Sequence, residues 1–122
     1  MRDNTIESIY ELIDENIPEF KGYKDYSMWY RENPYLHTGN FGQFLVEKIE
    51  KQETTTVKKI FDFINRVFED QMIDESVKNM IHIQVFEILP GSNQMIKISR
   101  EYLKGSALFS FNGVLGEFVP KE

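Results

Sequence analysis

The chain has 122 residues, the size of one domain. Hydrophobic residues make up 41% of it and charged residues 28%, a balance that supports a buried core and excludes wholesale disorder. Acids outnumber bases 20 to 14, which leaves no strongly basic footprint for nucleic acid, and the absence of cysteine removes disulfides, thiolate nucleophiles and cysteine-held metals together.

The first element is a helix. Ile6, Ile9, Tyr10, Ile13 and Ile17 recur on one face, Asn4 and Glu7 are placed as a capping-box-like pair, and Pro18 ends the run. Residues 18–40 read as irregular, with Pro18, Gly22, Pro34 and Gly39 and a short helical stretch around Tyr26–Arg31. Asn40 then caps a second helix through Phe41, Phe44, Leu45, Val46 and Ile49. The third helix has the clearest period: a Thr54-Thr55-Thr56 cap leads into Val57, Ile60, Phe61, Ile64, Val67 and Phe68. Asp74 caps a fourth, with Val77, Ile81, Val85, Ile88 and Leu89 inward and Pro90-Gly91 at its end. Ser92 caps a fifth using Met95, Ile96, Ser99, Tyr102 and Leu103, with Gly105 just past it. Residues 106–119 admit two readings: a β-hairpin or extended segment around Asn112-Gly113, or a loosely helical apolar flap. The links after the second helix are short, so the expected fold is all-α, a stack of antiparallel helices in a single domain, with a C-terminal hairpin as an option.

Chemistry-bearing patterns are few. His37 and His82 are far apart and have no ligand partner at helical spacing, and no Ser–His–acid set has a diagnostic spacing. The Gly39-Asn40-Phe41-Gly42 stretch lacks the preceding strand of a phosphate loop. Glu47, Glu50 and Glu53 alternate with Lys48 and Lys51, the pattern of a solvated helix face. Lys97, Arg100 and Lys104 suit the C-terminal end of a helix dipole. The expectation is a non-enzymatic protein with no catalytic residue, no cofactor and no bound metal.

Two features point to a protein partner. Between Asp3 and Phe20 stand six acids and no Lys or Arg, and Glu7, Glu11 and Asp14 align on a face turned away from the isoleucines. Like charges at this spacing repel, which a cationic partner would offset. Of the 17 aromatic residues, 8 fall between Phe20 and Phe44, among them Tyr26, Trp29 and Tyr30, residue types that anchor interfaces. Glu7, Glu11, Asp14, Tyr26, Trp29 and Tyr30 are therefore the expected partner-binding residues.

The stretch Ile60-Phe61-Asp62-Phe63-Ile64-Asn65-Arg66-Val67-Phe68-Glu69-Asp70, followed by Asp74–Ile81 and Val85–Leu89 and preceded by Gly42–Glu47, resembles a group of small, uncharacterised bacterial proteins with a HEAT-like helical core. Some of that group are suspected immunity proteins to secreted toxins. The resemblance implies a short HEAT-like stack and offers no catalytic residue to carry over.

Together these readings give a binder that neutralises a protein partner, a basic toxin domain, by covering it. The alternative is a helical-repeat adaptor or structural subunit that takes a peptide in its concave groove, with contacts along Lys97, Arg100 and the groove between the fourth and fifth helices. No apolar leader or membrane-spanning run is found, so the expected location is the cytoplasm, with neither nucleic acid nor membrane as a partner.

Overall fold

Alternation of apolar residues at three and four positions dominates this chain, and the computed structural model is helical wherever it has regular structure. It describes residues 9–23 and 33–118. Among them lie α1 (Ile9–Asn16), α2 (Pro34–Glu50), α3 (Thr54–Glu69), α4 (Glu75–Ile81), α5 (Asn93–Tyr102) and α6 (Gly105–Phe118). A 3₁₀ turn, Pro18–Gly22, follows α1; a π-helical turn, His82–Phe86, extends α4; and a second 3₁₀ turn, Leu89–Gly91, leads to α5.

Ile9, Ile13 and Ile17 are fully buried, as their spacing predicts, and Pro18 opens the 3₁₀ turn that closes α1. The expected start of this helix, with Asn4 and Glu7, lies outside the described residues. The second helix begins earlier than expected, at Pro34 and not after Asn40. Asn33 caps it, its side chain accepting the Leu36 N–H at 3.3 Å, and Pro34 occupies the first helical position, where a missing N–H costs nothing. The extra turns carry His37 and Thr38 into the interior.

The third helix matches its period: Val57, Ile60, Phe61, Ile64, Val67 and Phe68 are all buried. Asp74 caps α4 by accepting the Ser76 N–H at 3.0 Å, and Ser92 caps α5 by accepting the Met95 N–H at 3.2 Å. The single fourth helix expected up to Leu89 is instead α4, the π turn and the 3₁₀ turn. The Glu87 N–H reaches back five residues to the His82 carbonyl at 3.2 Å, a spacing that widens the helix. That wide turn lies against α2 at Gly42, where a Cβ would come within 2.7 Å of the Gln84 carbonyl oxygen and 2.8 Å of Ile88 Cδ1.

The hairpin reading of residues 106–119 is corrected: the chain is helical from Gly105 to Phe118, through Asn112-Gly113. Ala107, Phe111 and Val114 sit at helical spacing and are fully buried, so packing overrides the local turn signal. Gly105 does adopt the left-handed conformation (φ +53°), as the joint between α5 and α6. Two side chains of α3 hold that joint. Asn65 donates to the Tyr102 carbonyl at 2.9 Å and accepts the Lys104 N–H at 3.0 Å, while Glu69, one turn on, accepts the Ser106 N–H at 2.9 Å. The positive φ is what favours glycine at this seat; a Cβ on residue 105 would also meet the Glu69 carboxylate, whose flexible side chain could swing aside at the cost of its bond to Ser106.

The core runs through all of these elements. At one end Phe20, Phe41 and Phe44 meet edge to face; at the other Phe86 stacks on Phe68 and meets the edge of Phe111. Among the described residues no helix is long and apolar enough to cross a membrane.

Candidate functional site

The residues expected to meet a partner divide three ways. Glu7, Tyr26, Trp29 and Tyr30 lie outside the described residues. Glu11 is exposed, as expected of an acidic face. Asp14 is a correction: it is only 7% exposed, because α2 covers that flank of α1. His37, itself 1% exposed, places Nε2 3.6 Å from Asp14 Oδ1, with the Phe20 ring at 5.2 Å on its other side. The loop position expected for His37 is therefore a core position.

Glu11, Asp14 and Glu15 nevertheless share one hollow of about 190 Å³, with Lys21 as the base among its lining residues. Glu11 and Glu15 are its exposed rim and Asp14 its nearly closed floor. Close by, Lys59 binds Glu19 at 3.1 Å. Burial pushes the Glu19 carboxyl upward, but backbone and Lys59 hydrogen bonds and the charge of Lys59 and Lys48 hold it below the usual range. Tyr23 donates to Glu47; burial first, and then that carboxylate, raises the phenol to about 12. Glu47 is thus half-buried and occupied, and less solvated than its interleaving with lysines suggested.

A larger hollow, about 500 Å³, opens at the opposite end of the chain's path. It is lined by Phe68, Glu69, Gln71, Glu75, Lys78, Asn79, His82, Ser106 and Ser110. Its floor holds a hydrogen bond between His82 Nδ1 and Ser110 Oγ at 2.6 Å, which fixes the imidazole against α6. Lys78 and Glu75 pair at 3.6 Å across one wall. The lining is therefore polar and of mixed sign. The sequence reading missed Ser110, because it treated residues 106–119 as hairpin or flap; the Ser106–Ser110 spacing of four, beside Ala107–Phe111, was the available signal. Among the described residues no cluster of three His, Asp or Glu side chains has the arrangement to hold a metal ion.

The turn between α3 and α4 frames this hollow. Glu69, Asp70, Asp74 and Glu75 are all exposed there. Residues 10–107 match the family model described as a domain of unknown function, DUF7674. The chain belongs to the DUF7674 family. No curated protein and no solved structure matches it. The family match spans every helix of the described fold except most of α6, so both hollows are built largely from family residues.

Of the basic stripe, Lys97, Arg100 and Lys104 are all exposed. The groove beside it, about 310 Å³, is lined from α5 by Gln94, Ile98, Glu101 and Tyr102 and from the α2–α3 corner by Ile49, Gln52, Thr54 and Val57. Neither Lys97 nor Arg100 lines it.

Proposed function

We propose that the chain is a non-enzymatic protein-binding module whose partner is a basic protein, and that it serves as an immunity protein neutralising a cationic bacterial toxin in the cytoplasm by direct binding. The observation that carries this reading is the α1 hollow, where Glu11, Asp14 and Glu15 line one opening, with Lys21 the base among its described lining residues. Such a surface accelerates encounter with a cationic protein. The aromatic anchors Tyr26, Trp29 and Tyr30, which lie outside the described residues, would then slow dissociation, with Glu7 and Glu11 as charged contacts. In this reading the antiparallel helices form a short HEAT-like stack that presents α1 at one end.

The experiment is co-expression with the toxic domain of the protein encoded next to this chain in its native host. Restored growth together with a purified complex supports the proposal; continued killing with no complex contradicts it. A second reading, a helical adaptor that takes a peptide, is supported by the groove between α5 and the α2–α3 corner. It predicts several housekeeping proteins in a pull-down, and contacts along that groove.

A further inference from the structure

Two helices pack through apolar stripes beside the larger hollow. Val77, Met80 and Ile81 carry α4 into the core, and Ala107, Phe111 and Val114 do the same for α6. Next to those stripes the same two elements turn polar. Glu75, Lys78, Asn79 and His82 follow one another at helical spacing, as do Ser106 and Ser110, and all six line the hollow. Its volume, about 500 Å³, is that of a site for a small molecule.

Two groups in this lining are held in place with capacity to spare. The Lys78 side chain is only 12% exposed, yet its carboxylate partner, Glu75 Oε2, stands 3.6 Å away, beyond hydrogen-bond reach, on a side chain 90% exposed. A covered ammonium costs free energy until a counter-charge or an acceptor meets it closely. His82 uses Nδ1 in its 2.6 Å bond to Ser110 Oγ, which leaves Nε2 outside that bond. Its ring lies 6.3 Å from Phe86, which in turn meets the edge of Phe111, so the imidazole is fixed between α4 and α6. The acidic side is fixed as well. Glu69 Oε2 accepts the Ser106 N–H at 2.9 Å, a bond that satisfies the backbone and leaves the carboxylate charge at the hollow.

We infer that this hollow binds a small zwitterion of dipeptide size, its carboxylate set against Lys78, His82 and Ser110 and its ammonium against Glu69 and Glu75. The mixed sign of the lining selects that class. An anion alone gains Lys78 but faces two carboxylates; a cation alone leaves the covered Lys78 ammonium unmet and is repelled by it. A molecule carrying both charges satisfies both sides, and walls already held in position lose little freedom when it arrives. The site shares no lining residue with the α1 hollow, so the inference goes beyond the basic-protein reading and does not depend on it.

The test is an amide-resolved NMR titration of the full chain with three probes built on one scaffold. Alanyl-alanine carries both charges, N-acetyl-alanyl-alanine lacks the ammonium and alanyl-alanine amide lacks the carboxylate. The expected result is saturable shifts at the Lys78, His82, Ser106 and Ser110 amides with alanyl-alanine, and binding about tenfold weaker for each blocked form. Lys78→Met keeps the covered stem, removes the charge and weakens alanyl-alanine about tenfold; Glu75→Gln does the same from an exposed position. Circular dichroism verifies that both variants are folded, and Glu75→Gln alone decides if Lys78→Met is not. No saturable shift with alanyl-alanine overturns the inference, and so do shifts centred on α1. Equal binding of either blocked form overturns the zwitterion as ligand, and wild-type binding by the folded variants overturns the site. None of these outcomes touches the reading of a basic protein partner.

Discussion

Two acid-rich segments of this protein use their charge in opposite directions. On α1 the acids lie on a helix that α2 crosses, and Asp14 is turned inward against His37 while Glu11 and Glu15 stay outside. In the α3–α4 turn Glu69, Asp70, Asp74 and Glu75 are all exposed among the described residues, and Glu69, Asp70 and Asp74 accept backbone N–H groups as caps and turn-formers. Identical residue types therefore become core or surface according to what passes above them. A run of acids in a sequence gives net charge; only the covering element decides how much of it a partner meets.

The sharpest way to break this contrast is to reverse charges on α1. Asp14→Lys places an ammonium in a closed position beside His37 and should destabilise the fold by about 3 kcal/mol or more, whereas Glu11→Lys should stay within about 0.5 kcal/mol. Equal effects in urea denaturation would show that Asp14 is not covered. Next in size is Asn65→Ala, which strips partners from the Tyr102 carbonyl and the Lys104 N–H and should cost about 1–3 kcal/mol, loosening the α5–α6 joint. Heteronuclear exchange rates at Ser106 and Ser110 would rise if the joint depends on it.

Smaller effects follow from two titrating groups, one in each region. The Tyr23 phenol is raised from 10 to about 12 in the folded chain, so the folded state holds its proton longer than the unfolded state. Its contribution is fully present below pH 10 and is lost as pH climbs from 10 to about 12. Tyr23→Phe should remove that dependence in alkaline melting curves. The Asp74 carboxyl is lowered, so its contribution is present above the unfolded pKa and fades as pH falls through the folded one. Asp74→Asn should flatten the acid side of the stability profile, the least of these changes.

Much of the helical pattern was legible because α3 and α5 obey a 3.6-residue period and because α4 and α5 carry caps of the preferred types at Asp74 and Ser92. Three features were not. The start of α2 was hidden because Pro34 was read as a breaker, although after Asn33 it is a helix opener. That error concealed the burial of His37, and with it that of Asp14, since the cover comes from a different helix. The π turn has no local signature; it lies where α2 comes close at Gly42, a long-range contact the local sequence does not announce. The C-terminal helix stood as one of two readings beside the hairpin that Asn112-Gly113 favours, and Ala107, Phe111 and Val114 decide for it by finding a core to pack into.

The central claim, that the exposed acids of this fold meet a basic protein, is tested most directly by calorimetric titration of the neighbour-encoded protein into the wild-type chain and into the Glu11→Lys, Glu15→Lys variant at low and high salt. The account predicts affinity about tenfold weaker for the variant at low salt, with the gap narrowing as salt rises. Equal affinities at both salt concentrations would contradict it.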